Sequence, residues 1–144
     1  MNFSEVGAEM HLKNTIKNER GQTMTEFAFV LPFLLVLLFG IIQFGIIFNN
    51  YITLTDATRA GARTAAVNRF LGDNGASAVT AVENSAQGLD QSVLDPTISV
   101  TASPDWKTTG NEVTVTASYP YSIDILGWTV KAGDLTSTTK ERLE

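Results

Sequence analysis

Residues 27–48 read FAFVLPFLLVLLFGIIQFGIIF and contain no charged side chain. As an α-helix with a rise of about 1.5 Å per residue, this run would be about 33 Å long, close to the roughly 30 Å hydrocarbon core of a bilayer. A cleaved secretory signal has a shorter apolar region followed by a small-x-small site, whereas this run ends in Asn49 and Asn50. The sequence therefore predicts one transmembrane helix.

Two residues depart from the apolar pattern of this run. Pro32 lies in its second turn, where the missing N–H and the ring loosen a helix, and transmembrane helices tolerate this when neighbours cover the freed carbonyl. We interpret Pro32 as a kink. Gln43 is an uncharged amide, and we expect it to bond to a neighbouring helix.

A polar head, residues 1–21, precedes the run and shows no strand pattern. The orientation of a single span follows the basic residues nearest its ends. The head carries three of them, and those on the other side begin only at Arg59 and continue with Arg63 and Arg69. We therefore expect the head in the cytoplasm and the C-terminal part outside; the basic residues of the head are Lys13, Lys17 and Arg20.

The junction between head and run reads RGQTMTEF at 20–27, with Gly21 followed five residues later by Glu26. This pattern resembles a class III, type IV prepilin signal, in which a membrane peptidase cuts after the glycine, here between Gly21 and Gln22. The longer stretch RGQTMTEFAFVLPFLLVLLFGIIQFG at 20–45, together with ATRAGARTAAV at 57–67, resembles the TadE-like family of pseudopilins from tight-adherence pilus systems.

The resemblance implies a structural subunit whose apolar helix lies first in the cytoplasmic membrane and then among the helices of an extracellular pilus. It also implies four kinds of partner besides membrane lipid: other pilin or pseudopilin subunits, a prepilin peptidase, inner-membrane platform proteins and an assembly ATPase. A minor, initiating subunit is favoured over a major shaft subunit, because major subunits of such pili are usually much shorter. The residues expected to pack against other helices are Phe27, Pro32, Phe33, Gly40 and Gly45.

Glu26 has a predictable chemical role at the junction. An unpaired carboxylate at mid-bilayer would cost about 2.5–3.5 kcal/mol, so we expect Glu26 to have a partner. Cutting after Gly21 would give Gln22 a free amine that is mostly protonated at neutral pH. Gln22 and Glu26 lie one helical turn apart, so the amine and the carboxylate can pair within a subunit or with a neighbour. The alternative is a carboxylate that only helps the helix to begin.

Beyond the run, residues 49–72 are rich in alanine and lack proline, which predicts that the helix continues until Gly72 ends it. Asp56 and Arg59, at spacing i, i+3, can pair for a few tenths of a kcal/mol. Arg59 and Arg63 mark a basic face, which is either solvated or meets carboxylates of adjacent subunits. A second helix is predicted over 76–92 from the spacing of four apolar residues, Ala78, Val82, Ala86 and Leu89.

From residue 97 the apolar period changes to two, which is typical of half-buried antiparallel strands. Strands are predicted at 97–102 and 113–119, joined by a hairpin loop at 103–110, with a third at 134–144. The segment 119–130 is predicted to be irregular. Its three large aromatic residues are expected to cover the core or contact another subunit rather than bind a ligand; they are Tyr119, Tyr121 and Trp128.

The predicted fold is α+β: a long N-terminal transmembrane helix, a short second helix, and a small antiparallel sheet packed on the outer half of the long helix. A leader over 1–21, a long helix over 22–72 and an extracytoplasmic head over 73–144 are the expected domains. The rival from another class is a membrane-anchored binding domain that keeps its leader uncut.

Composition argues against catalysis. The chain has 144 residues, no cysteine and a net charge of −5, so a thiolate site, a disulfide scaffold and a nucleic-acid partner are not expected. The one histidine, His11, lies in the leader, and Asp73-Asn74-Gly75 is simpler as a turn than as a calcium loop. No phosphate-binding loop is present. We expect a protein that is not an enzyme and holds neither metal nor cofactor.

Overall fold

The computed structural model of the protein describes residues 3–68, 72–94, 97–103, 105–125 and 127–144. The chain divides into two compact units, Met1–Ile41 and Ile42–Glu144. The order of elements confirms the predicted α+β class. They are α1 (Phe3–Val67), α2 (Ala76–Ser85), α3 (Gln91–Leu94), β1 (Ser99–Ser103), β2 (Glu112–Ile125) and β3 (Trp128–Arg142).

In the first unit, every described residue belongs to α1, which continues through Pro32. The apolar side chains of this part are exposed; Phe29 is 74% and Phe33 77% accessible. Among the described residues one helix, Gly21–Val67, is long and apolar enough to cross a membrane, by length and composition. Such a helix leaves its side chains in water unless lipid or other helices cover them.

In the second unit, a three-stranded antiparallel sheet in the order β1-β2-β3 packs on the outer part of α1. The inward positions of β2, Val113, Val115 and Ala117, are fully buried, as the predicted period of two requires. Val115 and Ala117 share a cluster with Leu54 of α1, and further members are Ala57, Ala62, Val82, Ala86, Leu89 and Leu94. The predicted packing of sheet on helix is therefore confirmed.

A second cluster lies further along α1. It joins Ala65 and Ala66 of α1 to Ala78 of α2, Val113 of β2 and Leu143 after β3. Because the alanine side chains on α1 are small, the sheet and α2 can pack close to this helix.

One buried polar contact joins the helix to the sheet. The Thr58 hydroxyl lies 2.8 Å from the Ser137 hydroxyl and 3.1 Å from that of Thr139, and it donates to the carbonyl of Thr55 at 2.9 Å. Thr58 and Ser137 are both buried, and buried hydroxyls are costly unless they are hydrogen-bonded. This set of hydroxyls helps to fix the position of β3 on α1.

At Gly61, α1 and α2 are packed closely together. A Cβ placed there would overlap Cγ2 of Val82 and lie 3.1 Å from the carbonyl oxygen of Ala78. Because one of these atoms is backbone, the helices must separate to admit a methyl group. We expect Gly61→Ala to destabilise the full chain in detergent by about 1–3 kcal/mol, the usual cost of overpacking a filled core, and to lower its thermal midpoint.

The matched control for this substitution is Gly88→Ala in the turn after α2, where an added Cβ would have no atom within 4 Å. Its midpoint should stay close to that of the parent protein. Equal midpoints for Gly61→Ala and the parent would show that the two helices are not held at this distance.

Three helical boundaries differ from the expectation. The helix α1 already begins at Phe3, and it ends at Val67 rather than Gly72, although Gly72 has the left-handed φ of +67° that favours glycine. The predicted second helix over 76–92 is wrong in its length, because α2 ends at Ser85. A turn follows, and Asp90 accepts the backbone N–H of Ser92 at 3.0 Å, which begins the separate α3.

The described residues of the segment 119–130 are not irregular, contrary to the prediction. They form the end of a long hairpin, in which Tyr119 faces Leu135 and Ile125 faces Trp128. Pro120 has no N–H to donate, and a proline is therefore unusual inside a sheet. However, β1 pairs with β2 only as far as Thr116, so β2 has an open edge at Pro120. The third strand consequently begins at Trp128 instead of residue 134.

Gln43 has a partner that the sequence did not indicate. Its amide Nε2 donates to the backbone carbonyl of Asp124, at the end of this hairpin, over 3.3 Å. This partner is a strand of the same chain.

Candidate processing and assembly segment

Gly21 lies within α1, with its carbonyl accepting the Thr25 hydroxyl at 2.9 Å. An added Cβ at Gly21 would have no atom within 4 Å, and the residue is exposed. Glycine in a helix interior is about 0.5–1 kcal/mol less favourable than alanine. The backbone at Gly21 is thus accessible and easier to open than its surroundings, which suits a peptide bond that a protease must extend before cutting it.

The side chains of Gln22 and Glu26 are in contact one turn apart. The amide Nε2 of Gln22 donates to Oε1 of Glu26 at 3.2 Å, and both groups are exposed. The helix therefore brings a donor at position 22 and the carboxylate at 26 within hydrogen-bond reach. In the uncut chain that donor is the side-chain amide.

The five residues expected to pack against other helices lie on exposed or open parts of α1. Phe27 is 59% and Phe33 77% accessible, and a Cβ at Gly40 or Gly45 would have no atom within 4 Å. Pro32 is inside the helix. Because the two glycines have no side chains, another helix can pack closely against α1 at these positions, as it does at small residues in packed membrane helices.

The charges predicted on the outer half of α1 are exposed. Arg59 Nη1 lies 3.3 Å from Asp56 Oδ1, as the i, i+3 spacing predicts, with the two side chains 67% and 65% accessible. Exposed pairs of this kind stabilise a protein little. Arg63 takes part in no ion pair within the described residues, and it borders a shallow hollow with Glu141, Arg142 and Glu144.

The aromatic residues of the hairpin have different environments. Tyr119 packs against the core, and its hydroxyl accepts the backbone N–H of Asp90 at 3.2 Å. The ring of Tyr121 covers Gly133, where an added Cβ would lie 3.2 Å from the ring. Trp128 is 82% exposed. The first two therefore cover their own chain, whereas Trp128 is open to a partner.

Two aspartates of the second unit hold turns. The backbone N–H of Ser77, and then that of Gly75, lower the pKa of Asp73 below its ordinary value. The N–H groups of Thr108 and Lys107 lower the pKa of Asp105 in the same way. These carboxylates are thus engaged as acceptors in turns.

The turn at Asp73 is the one predicted from Asp73-Asn74-Gly75, with Asn74 at a φ of 51°. The described residues contain no group of three or more His, Asp or Glu side chains placed to hold a metal ion. The side chain of His11 lies outside the described part of the structure.

Comparison with known protein families finds a similarity over part of α1. Residues 21–63 match a family model described as TadE-like protein. The match begins at Gly21 and includes the junction, the apolar run and the outer part of α1 as far as Arg63, and it confirms the resemblance drawn from the sequence. The family is a structural component of pili and not a family of enzymes. No curated protein and no solved structure matches the chain.

Proposed function

We propose that the chain is a non-enzymatic, minor subunit of a type IV-related tight-adherence pilus, cut after Gly21 and assembled through its apolar helix. One observation carries the proposal: the TadE-like match begins at Gly21 and continues along a helix whose large apolar side chains are uncovered. A helix of this kind needs lipid or other helices to cover it. A pilin subunit meets both environments.

Processing gives the junction its chemistry in this proposal. A membrane peptidase hydrolyses the bond between Gly21 and Gln22, and the new amine of Gln22 lies one turn from Glu26. The contact already present between the Gln22 side chain and Glu26, at 3.2 Å, supports the reach that this pairing needs. The carboxylate also complements the positive end of the shortened helix, whereas the amine alone would oppose it.

The membrane topology follows from the basic residues of the head. The head lies in the cytoplasm, where an assembly ATPase acts, and the second unit lies outside. Platform proteins of the inner membrane move the subunit out of the bilayer, and the assembled chain is extracellular. Exposed charges on α1, among them Arg59 and Arg63, then face carboxylates of adjacent subunits.

A minor subunit and a shaft subunit differ in copy number. The chain is long for a shaft subunit of such pili, so we expect it to be rare relative to the shaft protein in purified filaments. A filament composed mostly of this chain would assign it to the shaft.

The second candidate is a permanently anchored binding domain, and the exposed Trp128 is the observation in its favour. Such a protein would keep residues 1–21 and stay in the membrane fraction. Processing therefore separates the two candidates.

Replacing Glu26 with glutamine tests the pairing of amine and carboxylate. Insertion and processing should be unchanged, because the apolar run is intact. Incorporation into filaments should fall by about tenfold or more, equivalent to about 1.4 kcal/mol, because the amine loses its countercharge. The measurement is an immunoblot of sheared filaments against the membrane fraction.

The control for Glu26→Gln is Asp134→Asn, which removes one exposed carboxylate from β3 and should leave incorporation unchanged. Equal incorporation of Glu26→Gln and the parent chain would contradict the pairing.

A further inference from the structure

The tip of the β2–β3 hairpin, described at residues 123–125 and 127–130, lies beside the outer end of the apolar run. Gln43 Nε2 donates to the Asp124 carbonyl at 3.3 Å, and Gln43 belongs to the charge-free residues 27–48. Both partners are in the second unit. The hairpin tip is therefore level with residues that the sequence assigns to the hydrocarbon core or its edge.

The hairpin tip is also where the second unit exposes apolar side chains away from its helix. Trp128 is 82% and Val130 66% accessible, and among the described residues outside α1 they are the large hydrophobic side chains that are exposed. On α1, close to Gln43 along the chain, the rings of Phe44 and Phe48 stack with centroids 6.1 Å apart and are 69% and 53% accessible. Exposed apolar side chains thus occur both at the end of the run that contacts the hairpin and on the hairpin tip itself.

Local contacts give the hairpin tip a fixed shape. Gly127 has a φ of +86°, which a tight turn requires. Val130 is an extra residue in β3, because Ile123 faces Lys131 while Asp124 faces Thr129, and such a bulge bends and twists its strand.

The carboxylate of Asp124 holds the two strands of the tip together. It accepts the hydroxyl of Thr129 at 2.6 Å and that of Ser122 at 2.7 Å. The side chain of Trp128 therefore projects from an ordered support rather than from a loose loop.

We propose that the hairpin tip lies in the outer headgroup layer of the membrane that α1 spans, with Trp128 as its anchor. The proposal rests on the membrane insertion stated in the proposed function. Tryptophan favours this layer because its ring is apolar and its N–H is polar. Lys131, next to the tip, can direct its amine to lipid phosphates.

Placing the tip in the headgroup layer sets the outer limit of the span near Gln43. Residues 27–43 would then cross the hydrocarbon core, and a helix of about 17 residues is at the short end of the range that spans a bilayer. Gln43 would then lie at the membrane–water interface, where its amide donates a hydrogen bond to the Asp124 carbonyl. Lipid is favoured as occupant over a second copy because Asp124 of the tip is bonded to Gln43 of the charge-free run, which lies in lipid in the proposed function.

The test uses the full chain in vesicles of phosphatidylcholine and phosphatidylglycerol. Trp106→Phe leaves Trp128 as the single tryptophan, and Trp128→Phe leaves Trp106 as the matched control. Trp106 packs against the cluster of Ala65 and Ala66, about 33 Å along α1 from Gln43. We expect lipids brominated near the headgroup to quench Trp128 at least about twofold more strongly than Trp106, and aqueous acrylamide to quench it less.

Three results would overturn the proposal, and flotation of the vesicles separates it from the proposed function. If the protein floats and acrylamide quenches Trp128 fully, the membrane insertion of α1 is supported and the tip is in water. If the emission shifts to the blue without quenching by brominated lipid, another protein copy covers Trp128. If the protein does not float, the membrane insertion and the tip placement both fail. If Trp106→Phe folds poorly, the emission of Trp128 is obtained instead by subtracting the fluorescence of Trp128→Phe from that of the parent protein.

Discussion

The Gly21→Leu variant is expected to accumulate entirely as an uncut precursor, heavier than the mature chain by residues 1–21. A branched side chain at this position obstructs access to a backbone that is at present uncovered, where an added Cβ meets no atom within 4 Å. It also strengthens the helix that must open, because leucine is a far better helix former than glycine. No variant chain should then reach sheared filaments.

Two matched variants accompany this experiment, and the readout is the mass of the chain in membranes. Gly21→Ala, which adds only a methyl group, should be cut partly. Gly88→Leu makes the same exchange in an open turn of the second unit and should be cut normally. Normal maturation of Gly21→Leu would remove the basis for a prepilin peptidase.

The second large effect concerns the second unit. A soluble fragment of residues 50–144 is expected to fold, whereas a fragment of residues 73–144 should be unfolded or aggregated. The shorter fragment loses the part of α1 that covers the sheet, including Leu54, which is fully buried. Val113, Val115 and Leu143 would become uncovered on that face.

The free energy of burying these side chains explains why the shorter fragment should not fold. Burial of a valine or leucine side chain contributes about 1.5–3 kcal/mol, so uncovering three of them removes much of the roughly 5–15 kcal/mol that stabilises a typical domain. A three-stranded sheet has little other apolar surface with which to replace the helix. The loss of Thr58 would also remove the buried hydrogen-bond partner of the Ser137 hydroxyl.

Far-UV circular dichroism and thermal melting compare the two fragments, with residues 50–144 as the internal control. We expect a cooperative transition from the longer fragment alone. A cooperative transition from residues 73–144 would show that the sheet and α2 fold without α1, and it would favour an anchored binding domain over a subunit built on its helix.

Periodic features were predictable from the sequence. The charge-free run at 27–48 indicated a membrane helix, and the alternation around Val113 and Val115 gave the inward face of β2, because both patterns depend on neighbours along the chain. The junction at Gly21 and Glu26 was recognisable because the family pattern is local. The charge-free run and the junction were therefore sufficient to locate the candidate processing segment in the sequence.

Features that depend on contacts between distant residues were not predictable. The end of α2 at Ser85 is set by the turn that follows it, while the apolar spacing continues to Leu89. The hairpin beyond Tyr119 was missed because Pro120 is acceptable only where β2 has an open edge, which the sequence does not show. The same holds for Gln43, whose amide is bonded to Asp124, 81 residues away along the chain.

The central claim is that the chain becomes a filament subunit after a cut that follows Gly21. Mass spectrometry of the N-terminus of this chain, taken from sheared surface filaments and in parallel from membranes, tests it most directly. The account predicts a peptide in the filament fraction that begins at Gln22. A chain that retains residues 1–21 and occurs in the membrane fraction alone would contradict it.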